Sequence, residues 1–252
     1  MNVLTDMMFA QPGASAPAVG PELALLHLNE SSFDTRPTSF VNSAPSGLTF
    51  SNIGSDGSVG AIFWFGGEGP FGQGVNTQSS NNGGCAIVCN QLITAKKGMT
   101  HECFVMEFDN GRNVWDICEN VADNPAWNVT LVALDQGDGT WKFMLEHNMP
   151  GFAGAATITA AFTPVTGGNG NWVITQWRDD GFFEVWANGV RLGVSALAYD
   201  LTIPNTKLAI FGSYRGTYAG GLYARTIGEF RLSATQRYTG STATVPTARF
   251  TI

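Results

Sequence analysis

The sequence predicts an all-β chain: an antiparallel two-sheet sandwich preceded by an extended N-terminal arm. Three observations lead there. No run of ten or more residues carries a helical period. Short runs of alternating apolar and polar residues recur, broken by Gly, Asn and Asp, and the chain holds 31 glycines in 252 residues. About fourteen such runs suit two packed layers. A chain this long forms one domain and buries roughly 70% of its unfolded surface, so its core needs no staples.

In chain order, the arm comes first. Residues 1–20 include the apolar Met7–Ala10 but no basic leader, so they read as an assembly arm and not as a secretory signal. The sandwich follows over residues 21–252. Strands are expected at Ala24–Leu28, Leu48–Asn52, Ala61–Phe65, Cys85–Ile93, His101–Asp109, Val114–Cys118 and Val129–Leu134. Seven more are expected at Trp141–His147, Thr157–Phe162, Trp172–Trp177, Phe182–Ala187, Val190–Val194, Lys207–Phe211 and Ala224–Leu232. Two loops have the makings of contact surfaces. Gly66–Gly84 is rich in Gly, Asn and Ser with Phe71 as its aromatic, and Ser213–Tyr223 carries Tyr214, Arg215 and Tyr218 among glycines.

The stretch Trp172–Val194 fixes its own register if Asp179-Asp180 and Asn188-Gly189 are two-residue turns. Trp177 then faces Phe182, Trp172 faces Ala187, Ala187 faces Val190 and Val185 faces Leu192. One side collects Trp172, Ile174, Phe183, Val185, Ala187, Val190, Leu192 and Val194, with Gln176, and reads as the core. The other collects Thr175, Trp177, Phe182, Glu184, Trp186 and Arg191, with Trp186 and Arg191 as cross-strand neighbours suited to cation–π contact. This second side is either a layer covered by a loop, or an aromatic platform for a sugar ring or a neighbouring subunit.

The C-terminal stretch is the most distinctive. Ile227-Gly228-Glu229-Phe230-Arg231-Leu232 leads into Arg237-Tyr238-Thr239, and Pro246 precedes Phe250. With alternating side chains, Glu229 and Arg231 share one face, Phe230 and Leu232 point inward, and Ile227 cannot share a face with Phe230. Ser233 is placed to cap a short turn over Ala234–Arg237, and Tyr238 to pack back on the sheet. These motifs resemble the end of concanavalin A-like (laminin-G-like) jelly-roll domains of bacteriophage virion proteins. The Trp172–Val194 hairpin resembles that family's Trp-led strand pair with its Asn-Gly turn. Leu23–Leu28 with Asp34 resembles its opening strand and following acid. The family's usual acid before Glu229 is Gly228 here. The likeness spans about residues 21–252 and is weak over Gly66–Phe162. It implies a jelly-roll fold, a place in a virion assembled in the host bacterial cytoplasm, and other virion proteins as partners.

Catalytic constellations are thin. Glu107 and Asp109 would share a strand face, as the paired acids of laminarinase-type hydrolases do, but Asn110, Gly111 and Arg112 follow where a further acid would be needed. Cys85 and Cys89 lie too far apart along a strand for a disulfide. A loop over Thr94–Gly98 would set Cys89 opposite Cys103, and all four cysteines read as reduced core thiols. His27, His101 and His147 lack ligand spacing, and Asp135–Gly139 reads as a hairpin turn lacking a calcium loop's remaining ligands. No cofactor or metal is expected. A net charge of −7 leaves no basic patch for nucleic acid, and no apolar run is long enough to span a bilayer. Charged residues make up only 13% of the chain, about half the usual share, which favours lateral contacts with other subunits and self-association.

The expected function is a non-enzymatic virion structural protein: a capsid decoration (cement) protein or similar surface accessory with a lectin-like fold. The alternative is a tail-fibre or receptor-binding adhesin for a host surface glycan, and a glycoside hydrolase ranks last. The expected contact residues are Trp177, Phe182, Glu184, Trp186, Arg191, Tyr214, Arg215, Tyr218 and Phe71.

Overall fold

The computed structural model describes residues 22–28, 37–54, 63–66, 70–72, 74–77, 85–108, 110–119, 126–152, 154–215, 218–220 and 227–252. The expected arm, residues 1–20, lies outside them. The strands are β1 (Glu22–Leu26), β2 (Ser39–Phe40), β3 (Phe50–Gly54), β4 (Phe63–Gly66), β5 (Gly74–Thr77), β6 (Cys85–Cys89) and β7 (Ile93–Lys96). They continue as β8 (Thr100–Val105), β9 (Arg112–Glu119), β10 (Asn128–Asp135), β11 (Trp141–Asn148), β12 (Ala155–Ile158) and β13 (Asn171–Trp177). Last come β14 (Phe182–Ala187), β15 (Val190–Ala198), β16 (Thr202–Ile210), β17 (Ser213–Arg215), β18 (Tyr218–Gly220) and β19 (Ile227–Ser233). No α-helix occurs among the described residues.

A front sheet runs β15-β14-β13-β8-β19-β5-β4, with β1 also on β19. A back sheet runs β12-β11-β10-β9-β16-β6-β3-β2, with β7 also on β16. All pairings are antiparallel, and β17 and β18 form a separate hairpin. The core between the layers includes Phe50, Val105, Trp115, Leu131, Phe143, Trp177, Phe183, Val185, Leu208 and Phe230. This is the two-layer antiparallel sandwich that the alternating runs predict.

Turns and bulges set the register, and the departures from expectation have local causes. Asn188 and Gly189 both take positive φ (49° and 79°), as a two-residue turn of the primed type requires. The other turn is longer: Arg178 N donates to Phe182 O, and Gly181 takes φ 92°, making a three-residue loop of Asp179–Gly181. Trp177 therefore pairs with Phe183, one position from the expected register, and every side chain of β13 changes sides relative to β14. Val173 and Trp177 go into the core with Phe183 and Val185, while Trp172 and Ile174 face outward beside Trp186. A bulge in β15 sets Val185 opposite Gly193 instead of Leu192, while Trp186–Arg191 and Ala187–Val190 pair as expected.

In β19 a bulge between Gly228 and Phe230 holds Glu229 at φ 48°, so Ile227 and Phe230 share the core face after all. Ser233 ends β19 without capping a helical turn; its hydroxyl donates to Glu22 Oε2 at 2.5 Å. The expected strand Cys85–Ile93 breaks into β6 and β7, and Lys97-Gly98 then carries the chain to the front sheet. Cys89 thus pairs with Phe50 in the back sheet and Cys103 with Val173 in the front, not with each other. Cys89, Cys103 and Cys118 are buried thiols.

His101 sits between the layers, stacked on Trp115 with centroids 4.3 Å apart and planes 3° apart. Its Nε2 has no hydrogen-bond partner, and burial lowers its pKa from 6.5 to about 3. Between those values the unfolded chain binds the extra proton, so stability rises with pH through the window and is lost on acidification. The contribution is about 1.4 kcal/mol per pH unit. Urea unfolding of wild type and His101→Phe at a series of pH values should differ in slope by about that amount, the variant being flatter.

Candidate functional site

The face that the sequence offers as a platform is the outer side of the front sheet. It carries Trp172, Ile174 and Gln176 from β13, Glu184 and Trp186 from β14, Phe104 and Glu102 from β8, and Arg231 from β19. This many rings and charges on one face need a cover, and the chain supplies it. Residues after β19 run back over the sheet: Tyr238 packs its ring on Trp172 and Trp186, at 5.6 and 5.8 Å between centroids. Phe250 packs on Phe104 at 5.7 Å, and the Arg231 guanidinium lies 4.1 Å over the Phe250 ring. Backbone bonds fasten the tail to the β14–β15 turn, with Ala243 N donating to Gly189 O and Arg191 N to Ser241 O. A Cβ on Gly189 would come within 2.2 Å of the Ala243 oxygen, so this contact needs glycine for space as well as for φ.

Beneath the tail lies a buried ionic network. Arg231 donates to both oxygens of Glu102, at 2.7 and 3.0 Å. Tyr238 donates its hydroxyl proton to Glu102 Oε1 at 2.6 Å. Arg237 Nη1 donates to Glu22 Oε1 at 2.6 Å, and its Nε lies 3.2 Å from Glu102 Oε2. Gln176 is the switchboard. Its Oε1 accepts from Thr100 Oγ1, Arg237 N and Tyr238 N, and its Nε2 donates to Glu184 Oε1 and Tyr238 O, both at 2.7 Å. Burial and the neighbouring Glu102 carboxylate push the Tyr238 phenol up. Burial alone would lower Arg231, but Glu102 outweighs it and holds the guanidinium above its ordinary value.

A second knot joins the ends of the chain. The Glu229 carboxylate, buried, lies 3.0 Å from His27 Nδ1 and accepts from Arg249 Nη1 at 2.8 Å and Phe250 N at 3.2 Å. Arg249 also donates to the carbonyls of His27 and Phe71. Leu28, Phe71 and Glu229 all hold positive φ (54°, 57° and 48°), so backbone strain gathers around one guanidinium that binds all three segments.

The expected contact residues separate accordingly. Trp177 is 2% exposed and lies in the sandwich core, donating Nε1–H to Gly181 O and Tyr199 O. Trp186 is fully buried under the tail. Neither ring is open to a sugar, because the register shift buries one and the tail covers the other. Glu184 is buried too, 3.3 Å from Arg191 Nη1 and 3.8 Å from Arg178 Nη1, and burial pushes its carboxyl up against their pull. Phe182 is half-buried with the Arg178 guanidinium 5.9 Å from its centroid, and half-buried Arg191 also reaches Gly240 O. The structure therefore joins Glu184 and Arg191 and seals Trp186 beside them. Phe71 stacks edge-on against Phe104 at 5.1 Å on the same outer layer. Tyr214, Arg215 and Tyr218 fall in the β17–β18 hairpin, whose side chains lie outside the description.

The remaining candidates resolve as follows. β8 ends at Val105, so Glu107 is an exposed residue past the strand, and Asp109 lies outside the described residues. Asp135–Gly139 is the β10–β11 turn, its Asp135 and Asp138 carboxylates accepting from Gly137 N and Thr140 N. His147 is 2.6 Å from the Tyr199 hydroxyl and 3.0 Å from Thr157 Oγ1. No cluster of three or more metal-ligating side chains occurs among the described residues.

No family model and no curated protein matches the chain. Solved structures do. Domain 4 of AbnA, a GH43 extracellular arabinanase from Geobacillus stearothermophilus solved with arabinotriose, superposes with a TM-score of 0.56 at 12% identity, over 87% of this chain and 95% of that one. This chain has that fold. The binding domain of Paraclostridial Mosquitocidal Protein 1 gives 0.53 at 11% identity, over 88% and 50% of the two chains. Tailspike protein 2 of Escherichia coli O157:H7 bacteriophage CAB120 gives 0.49 at 11%, over 83% and 27%.

Removing one partner of a buried ion pair costs about 3–5 kcal/mol, because the other charge is stranded. Glu102→Gln should lower urea stability by about that much and speed tryptic cleavage after Arg237 and Arg249. Gly189→Ala should loosen the same tail, at a cost of about 1–3 kcal/mol by calorimetry.

Proposed function

We propose that this chain is a non-catalytic, lectin-like module of a bacteriophage particle, a capsid decoration protein or similar surface accessory. One observation carries the reading: Glu22, Glu102, Glu184 and Glu229, the carboxylates on the front sheet's outer side, are each engaged by an arginine of the fold. Acids held in this way position a tail and, among the described residues, leave none free on that face for an acid–base pair. The motifs through Arg231, Arg237, Tyr238 and Phe250 support the particle assignment by their likeness to virion jelly rolls. In this reading the arm, residues 1–20, attaches the sandwich to other virion proteins.

A second reading has its own support. The AbnA domain was solved with an arabino-oligosaccharide, so a glycan-binding adhesin is the alternative. On this chain the ligand would have to use a surface other than the sealed Trp186 layer.

Co-sedimentation with particles lacking the protein, run beside a glycan array that includes arabino-oligosaccharides, separates the two. The decoration reading expects saturable particle binding that is lost when residues 1–20 are deleted, with circular dichroism unchanged and the array blank. Array binding without particle binding would replace it with the adhesin. Sugar release that disappears in Glu107→Gln would overturn both.

A further inference from the structure

We propose, on the second reading above in which the chain holds a glycan, that the aromatic cluster of Phe108, Trp141 and Phe162 is its binding site and takes a neutral oligosaccharide. Three separate segments bring these rings together. Phe108 follows the end of β8 in the front sheet, Trp141 opens β11 in the back sheet, and Phe162 lies past the end of β12. Trp141 and Phe162 exchange both backbone bonds at 2.8 Å, which holds them side by side. Phe108 packs on Trp141 and Phe162, at 5.6 and 5.9 Å between centroids. Buried Phe143 lies beneath, 5.6 Å from Phe108 and 5.1 Å from Phe162.

The upper three rings are half-buried, and for the indole this is unusual in this chain. Among the tryptophans whose side chains are described, Trp115, Trp127, Trp172, Trp177 and Trp186 are buried and Trp141 is not. Its N–H has no hydrogen-bond partner among the described residues. An indole that served only to close the core would gain by burying the rest of its surface.

Polar groups on the same face say what the ring meets. Asp135 is the cross-strand partner of Trp141, so Asp135, Trp141 and Phe162 form one row across the strand ends. The Asp135 side chain is exposed, and its Oδ1 accepts from Gly137 N at 2.8 Å, which fixes the direction of the carboxylate. Flat rings, an N–H donor and an oriented acceptor match a sugar. Its C–H face stacks on the indole while its hydroxyls donate to the carboxylate and accept from the N–H. Charge selects the class. Exposed Asp138 lies in the same turn as Asp135, Lys142 alternates to the opposite face of β11, and the chain carries −7, so an acidic sugar is repelled.

Isothermal titration calorimetry of the full chain with arabinotriose, xylotriose, mannotriose, maltotriose and cellotriose, beside 3′-sialyllactose, tests the assignment. At least one neutral sugar should bind and 3′-sialyllactose should not. Trp141→Ala should weaken binding by about tenfold or more, with circular dichroism unchanged, and Trp141→Phe should lose less because a ring remains. Asp135→Asn keeps the bond from Gly137 N but loses the charged acceptor. It should weaken binding in the same direction, and it covers the case where Trp141→Ala disturbs folding. Binding that Trp141→Phe and Asp135→Asn both leave unchanged would overturn this site and leave the adhesin reading standing. Binding confined to 3′-sialyllactose would overturn the neutral class, and a chain that binds none of the sugars would overturn the site and the adhesin reading together.

Discussion

The front sheet has two apolar faces, and only one of them can point into a two-layer core. That constraint organises the rest of the molecule. Trp172, Ile174, Trp186 and Phe104 on the outer side would face water if the chain ended at β19. The closing segment removes them from solvent with Tyr238, Val245 and Phe250, making a third, thinner layer out of irregular chain. Irregular chain brings unpaired backbone groups with it. Gln176 takes up two N–H groups and a carbonyl of that segment. Gly189 and Arg191 take up others by pairing with Ser241–Ala243.

The ionic network explains why the tail sits in one place. Apolar contact alone would tolerate sliding, since rings and aliphatic groups have little directional preference. Glu102, fixed on a central strand, accepts from Arg231 on its neighbour and from Tyr238 on the tail. Glu22, on the first strand, accepts from Arg237. Burying these charges is expensive, and replacing such pairs by apolar groups is often neutral or stabilising. What the network adds is position: a tail shifted by one residue would strand Arg237 and Tyr238 away from both carboxylates. The knot around Arg249 does the same at the far end, drawing His27, Phe71 and Glu229 together.

Much of the fold was legible as period and punctuation. All fourteen expected strands overlap strands among the described residues. The Asn188-Gly189 turn was readable because few other dipeptides accept two positive φ angles in succession. Asp179-Asp180 misled because the glycine that closes the turn is the next residue, Gly181, and one extra loop residue inverts a strand. The bulge at Glu229 was invisible for a related reason: nothing in the alternation of Ile227–Leu232 marks a glutamate held at positive φ. The expected contact residues show the same limit. Glu184, Trp186 and Arg191 do belong to one face, but the sequence could not show that distant Tyr238 and Ser241–Ala243 would close over it.

By itself, then, the sequence determined the fold class, the absence of a helical period, the core side of β14, the scarcity of charge and the inward turn of Phe230 and Leu232. These are local properties, set by side-chain alternation and turn chemistry within a few residues. Tertiary structure alone decided that Cys89 and Cys103 lie in different sheets, that Trp177 and Trp186 are hidden, that Glu22 meets Arg237, and that the edge strands β12 and β15 come together. Each of these depends on where segments separated by tens or hundreds of residues come to rest. That is fixed by the packing of whole faces, and no short stretch of chain carries it.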